Sequence, residues 1–154
     1  MGRPKLLLDT NIVIDFLNQR EPFYEPARLL MIAGRVGEFD LYLSASQMTD
    51  LVYILSNGGR ASEVPHALER LRKLRMFVQV LPTSAREVDL MLASSWSDPE
   101  DCLLSESAAA HGIDAIITRN GADFEKSLVP VFDCQGYFEW LEATKGISYR
   151  EVPL

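Results

Sequence analysis

Five short apolar runs, each closed by a polar residue, an acid or a proline, constrain this chain more than any other feature. Residues 5–8 end at Asp9, Leu41-Tyr42-Leu43 passes into Ser44-Ala45-Ser46, and 77–81 stops at Pro82. Residues 115–118 form a fourth run and 129–132 a fifth, which carries Pro130. Apolar runs this short suit strands buried on both faces, as in a parallel sheet. A proline inside the last one suits an edge strand, where a missing N–H breaks no ladder.

Between the runs the apolar period becomes helical. Val64, Ala67, Leu68, Leu71 and Leu74 recur at 3.6-residue spacing, as do Ala85, Val88, Met91 and Leu92. Met48, Leu51, Val52 and Leu55 mark another helix, which the turn signal Asn57-Gly58-Gly59 ends. A short helix over 12–17 is entered directly from the first strand, and Ala27, Leu30, Met31 and Gly34 give one more after Pro22. Strands alternating with helices predict a three-layer α/β fold, with a central, mostly parallel sheet of about five strands flanked by helices. The 154 residues hold no linker, repeat or low-complexity tract, so a single domain over 1–154 is expected. Its core is placed at 5–140 and its tail at 141–154, with 148–154 either loose or an added strand.

Charge and residue usage narrow the chemistry. Fifteen Lys and Arg against 22 Asp and Glu give a net charge of -7 and a sequence pI near 4.8. That balance argues against holding nucleic acid by phosphate neutralisation alone, though phosphate can still be reached through bound cations. His66 and His111 are the only histidines, too few for a His-based zinc site, and no Ser-His-Asp set is evident. Any catalysis falls to carboxylates. Cys102 and Cys134 form no CxxC pair and read as buried thiols in a reducing compartment. No apolar run approaches the roughly 18 residues of a membrane span, and the start is too short for a signal peptide. A cytoplasmic protein without membrane contact is expected.

In an open parallel sheet, ligands bind beyond the carboxyl ends of the strands. Asp9 sits at the first such end, Asp50 one helical turn past Ser46, and Asn120 and Asp123 after the fourth run. Asp98 and Asp101 open the helix leading into that run. Taken singly, each is most simply a cap or turn former. Asp98-Pro99 is a good helix start, with Glu100 and Asp101 favoured by the helix dipole, and Asp15 and Asp123 read equally as surface acids. Several carboxylates on one rim, however, repel one another unless a cation lies among them. Mg²⁺ and Mn²⁺ take oxygen ligands and keep waters, so such a set suits them.

Four segments resemble the motifs of PIN domains: Leu7-Leu8-Asp9-Thr10-Asn11-Ile12, then 44–51, Asp98-Pro99-Glu100-Asp101-Cys102-Leu103, and 117–124. They occur in the order and spacing of that family, over about 5–140. The resemblance implies a PIN-like α/β fold, a Mg²⁺- or Mn²⁺-dependent endoribonuclease, and the VapC-like toxin half of a toxin–antitoxin pair. It further implies an RNA substrate, an antitoxin that inserts a basic side chain among the acids, and a homodimer. By position, Asp9, Asp50, Asp101 and Asp123 match the catalytic acids, and Asp9, Asp101 and Asp123 the metal ligands. Asp50 falls where the family usually has Glu, one methylene longer. Either Asn120 or Asp123 completes the set. Asn11, Ser46, Asp98, Thr118 and Asn120 match supporting polar positions, whose simpler reading is capping and turn bonding.

Two departures, Asp50 and Asn120, favour an alternative: a PIN-like module that binds RNA or a protein without cleaving. A phosphatase of the haloacid dehalogenase type would want an Asp where Asn11 stands, and a receiver domain a better-placed lysine than Lys126. No GxxxxGK[ST] or GxGxxG motif is present. Arg70, Arg72, Lys73 and Arg75 crowd one helix, either as a solvated face or as an RNA-guiding strip, with Arg119 a further RNA contact.

Overall fold

A computed structural model describes residues 2–149. The elements, in order, are β1 (Lys5–Leu8), α1 (Thr10–Leu17), α2 (Tyr24–Arg35), β2 (Asp40–Ser44), α3 (Met48–Leu55), α4 (Val64–Leu74), β3 (Val78–Leu81), α5 (Ala85–Leu92), α6 (Pro99–Ala110), β4 (Ala115–Ile117), β5 (Val131–Phe132) and α7 (Cys134–Lys145). Single 3₁₀ turns at Ala45–Gln47 and Gly121–Phe124 follow β2 and β4.

The five strands form one sheet in the order β3-β2-β1-β4-β5, and all four pairings are parallel. β1 lies in the middle, so Leu6, Leu7 and Leu8 are all 0% exposed. The pleat sends alternate residues to opposite faces and splits the core in two. Leu6 and Leu8 join Ile12, Leu30, Leu41 and Leu71 on the face covered by α1, α2 and α4. Leu7 joins Leu104, Ala108, Ile116 and Phe124 on the other, under α6. Each buried leucine contributes about 1.5–3 kcal/mol, so the middle strand is anchored from both sides.

The fold class, the five-stranded parallel sheet and the edge position of the proline-bearing run agree with the sequence reading. Three boundaries differ by more than one residue. α1 begins at Thr10 rather than residue 12, because Asp9 accepts the Thr10 N–H and caps it. β5 shortens to Val131–Phe132, since Pro130 can pair only through its carbonyl, which accepts the Ile116 N–H at 2.9 Å. The tail does not begin at 141: α7 continues to Lys145 and ends at Gly146, whose φ of +67° suits the left-handed cap. Beyond it, Tyr149 packs on Phe39 and Phe138. The remainder of the 148–154 segment, residues 150–154, lies outside the described residues. Cys102 and Cys134 are both buried and unpaired, as expected for thiols. No helix among the described residues is long and apolar enough to cross a membrane.

Candidate metal and nucleic-acid site

The carboxyl ends of β1 and β4 lie side by side, and the hydrogen bonds of the strands run on into the site. The Asp9 N–H donates to the Ile117 carbonyl at 2.9 Å, and the Thr118 N–H to that of Phe132 at 2.9 Å. Asp9 is 8% exposed, and its carboxylate is held on both oxygens. Oδ1 accepts the Thr10 N–H at 2.7 Å; Oδ2 accepts the Thr118 hydroxyl at 2.7 Å and the Asn11 amide at 3.3 Å. Thr118, 1% exposed, also accepts the Asn120 N–H at 3.0 Å. Asn11 accepts the Arg119 N–H, at a long 3.4 Å. Thr118 and Asn11 thus both hold the Asp9 carboxylate on its Oδ2 side.

The opposite wall comes from α6. Asp98 caps this helix, accepting the N–H groups of Glu100 at 2.9 Å and Asp101 at 3.3 Å, with Pro99 in the first turn. The cap aims the first turn at the sheet, so Asp101 is buried at its base while Glu100 stands at its rim. Asp50, in the first turn of α3, supplies the third side and stands beside Glu100, whose carboxyl it raises. Asn120 and Asp123, around the 3₁₀ turn after β4, close the fourth. Together these residues line a cleft of about 370 Å³.

Crowding of like charge shows in the acids themselves. Asp101 is pushed up to about 7, first by desolvation and then by the charges of Asp9, Asp98, Asp123 and Glu100. Glu100 is likewise pushed up to about 7, by desolvation, by Asp50 beside it and by the other negative charges around it. Asp9 is raised by burial and by Asp98, against the lowering effect of Thr118 and Thr10. Three carboxyls thus bind protons more tightly than they would in water.

The donor set is oxygen only, which fits a hard divalent cation. Among the described residues no three His, Cys, Asp or Glu are close enough to grip an ion by themselves.

Of the residues singled out in the sequence, Asp9, Asn11, Asp50, Asp98, Asp101, Asn120 and Asp123 line this cleft, and Thr118 braces it from below. Ser46 instead bonds to Ser44 at 2.9 Å, and Ser44 reaches Thr83 at 3.1 Å, which fastens the end of β2 to the loop after β3. The basic strip stands elsewhere. Arg70 donates to the Leu17 carbonyl and to Asn18, Arg72 pairs with Glu69 at 2.7 Å, and Arg75 donates to the Val78 carbonyl at 3.1 Å. Lys73 borders an apolar groove beside Phe16, Leu17 and Phe77. Arg119 is bound to Asp15 at 2.6 Å and stacked over Phe23 at 4.0 Å.

One reading of a single acid is overturned and a second is incomplete. Asp15 is no surface acid: it is 0% exposed and bonded to both Arg119 and Arg20. Glu100, taken only as a dipole partner, stands in the cleft. Gln47 was also missed. Its buried amide accepts the Ser44 N–H at 2.7 Å and donates to the Leu8 carbonyl at 2.9 Å and the Thr10 hydroxyl at 3.3 Å, joining β2 to the start of α1. The signal was available, since Ser44-Ala45-Ser46-Gln47 has the spacing of a capping box.

The fold resembles several solved structures at low identity. FitAcB from Neisseria gonorrhoeae superposes with a TM-score of 0.66 at 20% identity, covering 84% of this chain and 98% of that one. A toxin–antitoxin complex from Klebsiella pneumoniae gives 0.62 at 20% identity, covering 84% and 97%. VapBC2 from Rickettsia felis, bound to a promoter DNA fragment, gives 0.59 at 16% identity, covering 84% and 98%. No curated protein matches the sequence. The family model described as PIN domain matches residues 5–122, which spans Asp9, Asp50, Asp101 and Asn120 and stops one residue short of Asp123. With that match over most of its length, and the parallel sheet and cleft just described, the chain belongs to the PIN domain family.

Proposed function

We propose that this protein is a Mg²⁺- or Mn²⁺-dependent endoribonuclease acting from the cytoplasm, the toxin half of a toxin–antitoxin pair. The observation that carries the reading is the convergence of Asp9, Asp50, Asp101 and Asp123 on one cleft at the carboxyl ends of parallel strands. A cluster that keeps Asp101 at about 7 is costly on its own and is relieved by a bound cation. When bound there, a divalent cation would ease deprotonation of the water that attacks phosphorus and would stabilise negative charge on the phosphate oxygens. Asp9, Asp101 and Asp123 would hold it, with waters completing the contacts that the three carboxylates do not make together, and Asp50 stands beside Glu100 at the rim. Thr118 and Asn11 keep the Asp9 carboxylate in one orientation.

Family membership supports the chemistry, since PIN domains are generally nucleases. The printed titles of the structural relatives support the biological role, because one is named a toxin–antitoxin complex and others are bound to DNA with a partner. An antitoxin that places an Arg in this cleft would meet a desolvated carboxylate rim, a strong charge-assisted contact. A homodimer completes the reading.

The test is cleavage of mixed single-stranded RNA by the purified protein with Mn²⁺, with Mg²⁺ and with EDTA, beside Asp9→Asn and Asp101→Asn. Metal-dependent cleavage lost by orders of magnitude in both variants is expected. Cleavage unchanged in both variants defeats the proposal. RNA binding without cleavage by the parent points instead to a non-cleaving PIN module.

A further inference from the structure

Two side chains on the cleft wall suit an anion and a flat ring rather than a cation: Arg20, a base, and Tyr53, a large exposed aromatic. Arg20 lies just after α1, and Asp15 anchors it from beneath. Its Nε donates to Asp15 Oδ1 at 3.0 Å and its Nη2 lies 3.0 Å from the same oxygen, and its side chain remains 44% exposed. Asp15 does not cancel the charge of Arg20, because the same carboxylate serves Arg119 through its other oxygen at 2.6 Å. One acid between two guanidiniums leaves a net positive charge, and Arg20 carries it to the cleft.

Tyr53 stands on α3 three residues after Asp50, on the same helical face. Its ring lies along the turn at Gly58 and Gly59, whose φ values of +88° and +82° no β-carbon would favour. A Cβ at Gly59 would sit 3.4 Å from the ring, so the turn backs one edge of it while 61% of the residue stays exposed. An exposed tyrosine alone is ordinary. A tyrosine and an anchored arginine on the wall of one cleft are a matched pair for a nucleotide.

We propose that Arg20 and Tyr53 form a subsite for one unpaired nucleotide of the RNA, Arg20 taking its phosphate and Tyr53 stacking on its base. This rests on the RNA reading of the cleft. A polyanion meeting these acids is repelled except where a cation receives it, and a guanidinium with free donors binds phosphate well. Bases stack on aromatic rings regardless of sequence, but only when they are not already stacked in a duplex. The subsite therefore selects single strands, and it does so without reading sequence.

The probe is an end-labelled single-stranded oligoribonucleotide of mixed sequence, followed by anisotropy in Ca²⁺, with its integrity checked on a gel. Tyr53→Ala is expected to weaken binding by roughly 5- to 100-fold, while Tyr53→Phe binds like the parent. Arg20→Ala is expected to weaken it and to lower the salt dependence by about one phosphate contact, which Arg20→Lys restores. Loss of packing alone would not be restored by Lys. A blunt RNA duplex should compete poorly. Failure of the parent to bind, or parent-like binding by Arg20→Ala and Tyr53→Ala, overturns the subsite. Should Arg20→Ala unfold, the Tyr53 pair decides, since that side chain is exposed. A parent that cleaves nothing, yet loses binding in both variants, upholds the subsite and removes the nuclease. Cleavage lost in Asp101→Asn with unchanged binding by the two variants does the reverse.

Discussion

Thr118 donates its hydroxyl to Asp9 Oδ2 at 2.7 Å, across 109 positions of sequence, and accepts the Asn120 N–H with the same oxygen at 3.0 Å. One buried hydroxyl thus joins the acid after β1 to the loop after β4. Thr118→Val keeps the shape but leaves a buried carboxylate oxygen and an N–H each short of a partner. We predict a stability loss of about 1–3 kcal/mol in urea denaturation, with RNA cleavage reduced alongside. Thr118→Ser should restore both; a Thr118→Val protein as stable and active as the parent would show that the hydroxyl orients nothing.

The raised carboxyls make the metal-free protein sensitive to pH. Asp101 and Glu100 move from ordinary values of 3.8 and 4.5 to about 7, so between about pH 4 and 7 the folded state binds more protons than the unfolded. Their contribution is therefore favourable below that range and lost as pH rises through 7. In EDTA the melting temperature should fall from pH 6 to pH 8, and Asp101→Asn should fall less. Mn²⁺ should raise the parent at pH 8 more than the variant, because the cation binds the folded cleft. Equal metal responses, with the variant less stable in EDTA, would make Asp101 a helix-start acid only.

The two arginines on Asp15 should differ in weight. Arg119 makes bonds of 2.6 and 3.2 Å, lies over Phe23 and is 26% exposed at its side chain; Arg20 is 44% exposed. Arg119→Met leaves a fully buried carboxylate with one partner and is expected to cost about 3 kcal/mol. Arg20→Met should cost under half of that. Reversal of this order in denaturation experiments would place the stabilising charge on the cleft side.

Gly34 offers a test of the packing between α2 and the sheet. A β-carbon there would lie 2.3 Å from Leu41 Cδ1 and 2.6 Å from Cγ, inside a core with no slack. Gly34→Ala, ordinarily helix-stabilising, should here cost about 1–3 kcal/mol. Gly34→Ala combined with Leu41→Ala should recover part of the loss if the clash is its cause.

The elements that the sequence made legible are those whose pattern is local. Leu6, Leu7 and Leu8 form a run without polar relief, and the structure buries all three on β1. Asp98-Pro99 announced a helix start, and α6 begins there. α7 went unread because Tyr137, Phe138, Trp140 and Leu141 cluster within five positions, and Gly136 sits in its first turn, so no clean 3.6-residue stripe stands out.

For the cleft, the acids at strand ends were visible, but their convergence depends on β4 pairing beside β1, which no local pattern encodes. Asp15 was misread because α1 packs between sheet and α2, which removes the outer face that an eight-residue helix usually keeps. Glu100 was missed because its partner, Asp50, comes from another helix. The arginines read as a strip share a helix in sequence, yet Arg70 and Arg75 are spent on backbone carbonyls.

The sheet order has a consequence for how the protein is made. β1 emerges first but acquires its β4 neighbour only after more than a hundred residues have followed. Asp9 and Asp50 belong to the early half of the chain; Asp98, Asp101 and Asp123 belong to the late one. A nascent chain of which only the first half has been made thus holds two of these five acids and no closed cleft. Whatever these carboxylates do together begins only once synthesis is nearly over.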